Sequence, residues 1–127
     1  MIHFILLVNK LGKIRLNRTY TTTHAQSTPT EIIDLVLDRS SSNSNIIEYS
    51  ANNLKLIYKK YASLYFVVGV DAWENELIIL QAIHRYVELL DAAFGNVCEL
   101  DIVFNHERAN WLLNDLVLGG HLLETAL

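Results

Sequence analysis

"LIYKKYASLYFVVGVD", Leu56 to Asp71, carries two lysines in its first half and then almost nothing but apolar residues. A strand with one face in water alternates apolar and polar positions, whereas Leu64 to Val70 does not, so it reads as a strand near the centre of a sheet with both faces covered. Leu54 to Tyr58 reads as the strand before it, joined to it by a connection from Lys59 to Ser63. Lys59 and Lys60 at the entrance read as solvated charges or as an edge guard.

Upstream, the apolar run Ile2 to Val8 is followed by the turn signal Asn9-Lys10-Leu11-Gly12. Lys13 to Arg18 then alternates basic or polar with apolar residues, which makes a hairpin of one buried and one edge-like strand. Ile46 to Tyr49 reads as a further strand, giving five in all. Between the hairpin and that strand, Thr28-Pro29-Thr30-Glu31 forms a capping box. The helix it opens carries Ile32, Ile33, Val36 and Leu37 on one side and ends before the serine-rich loop from Ser40 to Asn45.

After the central strand, Asp71 with Glu74 gives a second cap signature, and the pattern from Glu74 to Phe94 predicts a helix stopped by Gly95. Ile79, Ile83, Tyr86, Leu90 and Phe94 form one line on it, and Leu77, Leu80 and Val87 a neighbouring face. A helix so widely apolar is expected to be buried on more than one side, with a larger partner protein covering the surplus. Val97 to Phe104 and Asn110 to Leu118 read as two shorter helices, the first open to a strand reading as well. The order β-β-α-β-β-β-α with helical pieces after it predicts an α+β domain of two or three layers.

Length and charge narrow the function. A chain of 127 residues, about half of them apolar, fits one domain spanning residues 1–127. The net charge is −4 with the basic residues scattered, which argues against nucleic acid as a partner. Ile2 to Val8 is too short to span a bilayer and has no basic residue before it or cleavage site after it. One cysteine, Cys98, suits a reducing compartment, and the cytosol is the expected location. No phosphate loop, nucleophile elbow, His-Glu-x-x-His pair or CxxC is present, so no enzyme activity and no cofactor are expected. His84, His106, His121 and Cys98 match no zinc spacing, so they read as solvent-facing or core residues. Glu99 and Asp101 would diverge on a helix, which favours a solvated or capping role over acid-base work.

Leu56-Ile57-Tyr58-Lys59, four residues, then Leu64-Tyr65-Phe66 resembles the signature of the small (sigma) chains of clathrin adaptor complexes. Met1 to Leu7, Gly12 to Leu16, Ile83 to Asp91 and Asn96 to Asn105 resemble the same family in the same order. "NELI" and "IHRYVELLD" in the long helix are most similar to the trans-Golgi and endosomal type, while "LGGHLLET" leans toward another adaptor type. Thr19-Tyr20 stands where the family usually has Trp-Tyr, and His106 and Asn110 replace expected aromatic or apolar residues. Relatives are expected to continue into another helix beyond the position of Leu127.

The resemblance implies a longin-like fold, a five-stranded antiparallel sheet with helices on both faces. It also implies a heterotetramer of two large chains, one medium chain and this one, with a large-chain trunk around the small chain. Membrane association would come only through that complex, on the cytosolic face of coated vesicles at the trans-Golgi network and endosome. It further implies a share in reading acidic dileucine signals in cargo tails. The leucine-pocket positions are then Ala62, Leu64, Val87, Val97 and Ile102 with Asn96 beside them, and the signal's acidic residue lies near Arg15. Read from the residues alone, the apolar members of this set are core. The rival readings are a longin domain of a fusion SNARE or tether and a small α+β enzyme, the first expected to carry heptads and the second catalytic motifs.

Overall fold

The computed structural model describes residues 2–20, 32–34, 36–37, 46–49, 54–95, 97–114, 116–118 and 121–122. Strands β1 (Ile2–Asn9), β2 (Ile14–Thr19), β3 (Ile46–Tyr49), β4 (Leu54–Tyr61) and β5 (Leu64–Asp71) form one sheet in the order β2-β1-β5-β4-β3. Every neighbouring pair is antiparallel. β5 is central, and every residue from Leu64 to Val70 is buried.

Alternation along the strands sends side chains to two separate cores. Leu64, Phe66, Val68 and Val70 of β5 join Ile57 of β4 and Ile5 and Leu7 of β1 in the larger cluster, covered by Ile79, Ile83, Tyr86, Val87 and Leu90. Those five belong to the long helix α2 (Glu76–Phe94). Tyr65 and Val67 point the other way, with Leu54, Leu56, Tyr58, Leu6 and Val8, against Ile32, Ile33 and Val36 of the helical residues 32–34 and 36–37, here α1. The α+β class is therefore built as a sheet between two helical layers.

Ile2 and Ile5 are three apart yet share the larger cluster, because the β1–β5 register shifts between Ile2, opposite Val70, and Phe4, opposite Gly69. The extra residue, His3, is buried at this irregularity, and its Nε2 lies 2.6 Å from Asp71 Oδ1. Burial alone would raise the Asp71 carboxyl, but the His3 hydrogen bond and nearby positive charge outweigh it and hold the group below the usual aspartate value.

Several boundaries differ from the sequence expectation. β4 runs on to Tyr61, pairing Lys59 with Phe66 and Lys60 with Tyr65, so the connection is only the two residues Ala62 and Ser63. The lysines occupy the strand's end where the core has ended: Lys59 is exposed, and Lys60 Nζ sits 5.8 Å from the Tyr65 ring centre. The cap of α2 is Asn75, whose side chain accepts from Leu77 N–H, while Asp71 closes β5 and is taken by His3. Gly95 ends α2 in the left-handed region at φ 65, as its sequence position predicts. α2 is buried along one side within the chain, but Leu77 is 70% exposed and Ile78 39%.

Beyond it, Val97 and Cys98 precede α3 (Glu99–Phe104), and the next helix, α4 (His106–Asn114), begins four residues earlier than expected. Val117 and Leu118 are not helical: they form β6 (Val117–Leu118), paired with β7 (His121–Leu122). Tyr86 locks α4 in place by donating its hydroxyl to the Ala109 carbonyl at 2.7 Å while its ring meets Phe66 edge-on. Burial pushes that phenol well above the ordinary tyrosine range. An apolar cavity of ≈ 30 Å³ remains between sheet, α2 and the chain after α4, lined among others by Ile2, Ala82 and Val117. The capping box at 28–31 and the serine loop at 40–45 lie outside the described residues.

Gly69 lets the Phe4 ring lie against the strand, since a Cβ there would come within 2.8 Å of three of its ring atoms. Gly69→Ala should lower stability by about 1–3 kcal/mol, the range for overpacking a filled core. Thermal unfolding should show a reduced Tm, and Phe4→Ala in the same chain should recover part of it.

Candidate functional site

Leu64 opens β5 after the β4–β5 turn, Val87 lies in the second half of α2, Val97 in the loop after it and Ile102 on α3, and all four belong to one buried cluster. Leu64 and Ile102 are completely buried, while Val97 and Val87 retain 3% and 6% exposure. Ala62 is exposed beside them, and Asn96 lies outside the described residues.

Ala62 is the single non-glycine residue with positive φ among the described residues, at 55°. It is the first of two turn residues between the paired Tyr61 and Leu64. A positive φ at such a turn position normally takes glycine. An alanine there carries strain of about 1–2 kcal/mol relative to glycine. The turn is held by what surrounds it.

Asp91 supplies part of that hold. Its Oδ2 accepts from the Tyr61 hydroxyl at 2.8 Å and its Oδ1 from the Val97 N–H at 2.8 Å. Its backbone carbonyl accepts from Gly95 N–H, also at 2.8 Å, closing the helix. One residue therefore ties the turn bearing Ala62 to the loop bearing Val97. The hydrogen bond to Asp91, then burial and the carboxylate's charge, raise the Tyr61 phenol above its ordinary value. A carboxylate in the last turn of a helix is disfavoured by the macrodipole, and that misfit was the available signal that Asp91 has a partner elsewhere.

Arg15 reaches the same region from β2. Its Nε and Nη2 donate to Glu99 Oε2 at 3.1 and 2.8 Å, and Asn9 Nδ2 approaches that oxygen at 3.5 Å. The two charged side chains keep 20% and 22% exposure, so the pair sits at the rim. Glu99 is thus engaged by Arg15 at a partly exposed rim rather than capping α3. Asp101 does cap, its carboxylate accepting from Cys98 N–H at 2.9 Å. His84 lies against Glu88 and His106 against Asn110, each within its own helix.

Among the described residues the arrangement offers no nucleophile poised by a base; it offers buried apolar side chains, a strained turn and a rim arginine. The clathrin adaptor complex small chain family matches residues 1–127. The chain belongs to that family. Among relatives of this small chain, the AP-1 complex subunit sigma-3 of Mus musculus is 48% identical over 129 residues, covering 99% of this chain and 82% of the relative. The AP-1 complex subunit sigma-2 of Dictyostelium discoideum is 46% identical, covering 98% and 81%. In structure, the small chain resembles a chain of a homology model of the full-length AP-3 complex in a stretched open conformation, with a TM-score of 0.73 and 32% identity over 99% of this chain and 86% of the other. No described helix of the small chain is long and apolar enough to cross a membrane.

Asp91→Ala should remove both carboxylate bonds and leave the Val97 N–H unpaired, at a cost of roughly 1–3 kcal/mol. In carbon-13 tyrosine NMR, the Tyr61 resonance should then titrate at lower pH than in the parent chain, because the group that raised its phenol is gone. An unmoved titration would remove Asp91 from this role.

Proposed function

We propose that this small chain is the sigma subunit of an AP-1-type heterotetrameric adaptor, assembled with two large chains and one medium chain in vesicle-mediated protein transport. The observation that carries the reading is the family match along the whole chain, with 42–48% identity to AP-1 sigma subunits. The complex would act at the cytosolic face of trans-Golgi and endosomal coated vesicles, with the small chain reaching the membrane only through its partners.

Surface chemistry supports assembly. Trp73, Leu77 and Ile78 before and on α2, Leu100, Val103 and Phe104 on α3 and Trp111 on α4 are all exposed. So much apolar surface on one segment of a small domain is expected to be covered, and a large-chain trunk is the occupant the family implies.

Within that assembly the small chain contributes to recognising acidic dileucine signals in cargo tails. Ala62, Leu64, Val87, Val97 and Ile102, with Asn96 beside them, form the leucine site, and Arg15 meets the acidic residue. What supports this is that Leu64, Val87, Val97 and Ile102 share one buried cluster, that Asp91 ties the strand end beside the strained Ala62 to the Val97 loop, and that Arg15 sits at the rim. Strained backbone collects at binding sites because the surrounding structure must over-determine it. Burying each leucine of the signal contributes at most roughly 1.5–3 kcal/mol, still more than a rim ion pair, which makes the apolar members dominant.

Affinity purification of the tagged chain from its own cells should recover two large chains and one medium chain in equal amounts by mass spectrometry. Recovery of neither would overturn the adaptor reading, and a fusion or tethering partner in their place would favour the rival longin function. In the recovered complex, Ala62→Trp should leave assembly intact, because the residue is exposed, and abolish dileucine-peptide binding in fluorescence anisotropy. Undiminished binding would take the leucine site elsewhere.

A further inference from the structure

We propose that Glu99 is a built-in competitor for the acidic residue of the cargo signal, an inference that rests on the dileucine reading. The observation is the occupancy of Arg15. Two of its donors converge on one oxygen of Glu99, at 3.1 and 2.8 Å, across 84 positions of sequence. The arginine that the signal's carboxylate must approach is therefore already neutralised by a carboxylate of this chain.

The consequence is an exchange. A cargo carboxylate arriving at Arg15 either displaces Glu99 or comes to rest beside it, and in the second case two like charges share one guanidinium. Either way the signal gains only the difference between two similar rim ion pairs, which is small in a site open to solvent and salt. Partial exposure of both partners permits the exchange without disturbing the core, since Glu99 can swing to water from the start of α3. Glu99 thereby sets how much an acidic residue matters, and the chain accepts signals that differ at that position. Specificity of this kind comes from a repulsive element as much as from an attractive one.

The alternative physical role for the same contact is a strut that joins α3 to β2. The two roles predict opposite signs. The test uses the assembled adaptor complex and three labelled peptides: one with Glu four positions before Leu-Leu, one with Gln in its place, and one with Ala-Ala for Leu-Leu. Glu99→Gln should tighten the Glu peptide by roughly two- to fivefold and leave the Gln peptide unchanged, the gain shrinking at high salt. In an Arg15→Ser background the gain should vanish, because the competition has lost its object. Weaker binding of both dileucine peptides, or equal binding before and after the substitution, would overturn the proposal and return Glu99 to the role of a strut. If the unsubstituted complex binds the Ala-Ala peptide as well as the Leu-Leu peptides, the dileucine reading itself fails and the proposal fails with it.

Discussion

A central strand with no exposed face is the constraint on which the rest of the molecule depends. From Leu64 to Val70, β5 buries every residue, and its neighbours β1 and β4 complete its hydrogen bonds on both edges. Its alternate side chains belong to different cores, so the sheet requires a helical layer on each side. α1 answers one and α2 the other. Even polar residues conform: Lys55 is 3% exposed, and its ammonium is satisfied by the Glu74 carbonyl at 2.6 Å and Glu76 Oε1 at 2.9 Å at the start of α2. A buried ammonium is tolerated only with such partners, and here it also joins β4 to the helix that covers it.

Much of this was legible because hydrophobic period is a local property. The unbroken apolar run of β5 announced two-sided burial, and Gly95 announced the end of α2. What failed locally was decided by contacts from afar. Asp71 resembles a cap until His3, 68 positions away, takes its carboxylate, leaving Asn75 to cap α2. The register shift at His3 has no signature in "IHF", and it sits beside Phe4, whose ring lies over the opposing Gly69. Val117 and Leu118 continue a helical pattern from the residues before them, yet two-residue pairing with His121 and Leu122 makes them a strand.

The candidate site divides in the same way. Ala62, Leu64, Val87, Val97, Ile102 and Arg15 were reached through resemblance, since each alone reads as core, turn or surface. Asp91 and Glu99 were not reached in their actual roles. Both act through a partner distant in sequence: Asp91 on Tyr61, 30 positions back, and Glu99 on Arg15. Residue type foretells that a carboxylate needs a donor, and only the fold selects which one.

Core packing and leucine binding need not exclude one another at these positions. In the lone chain Leu64, Val87, Val97 and Ile102 fill the space that signal leucines would enter, with exposures of at most 6%. Under the proposed reading, a bound leucine therefore replaces contacts that the chain already makes with itself. Its contribution is the difference between two well-packed arrangements, smaller than the full transfer value. Such a site gains affinity when something else holds its surfaces apart beforehand, because the opening cost is then removed from the binding step. Under the same reading, a large chain covering the exposed apolar residues of α2, α3 and α4 would grip the elements proposed to line the site. Assembly and cargo recognition would thus be coupled through α3, which carries Ile102 into the core, Glu99 onto Arg15, and Leu100 and Phe104 outward.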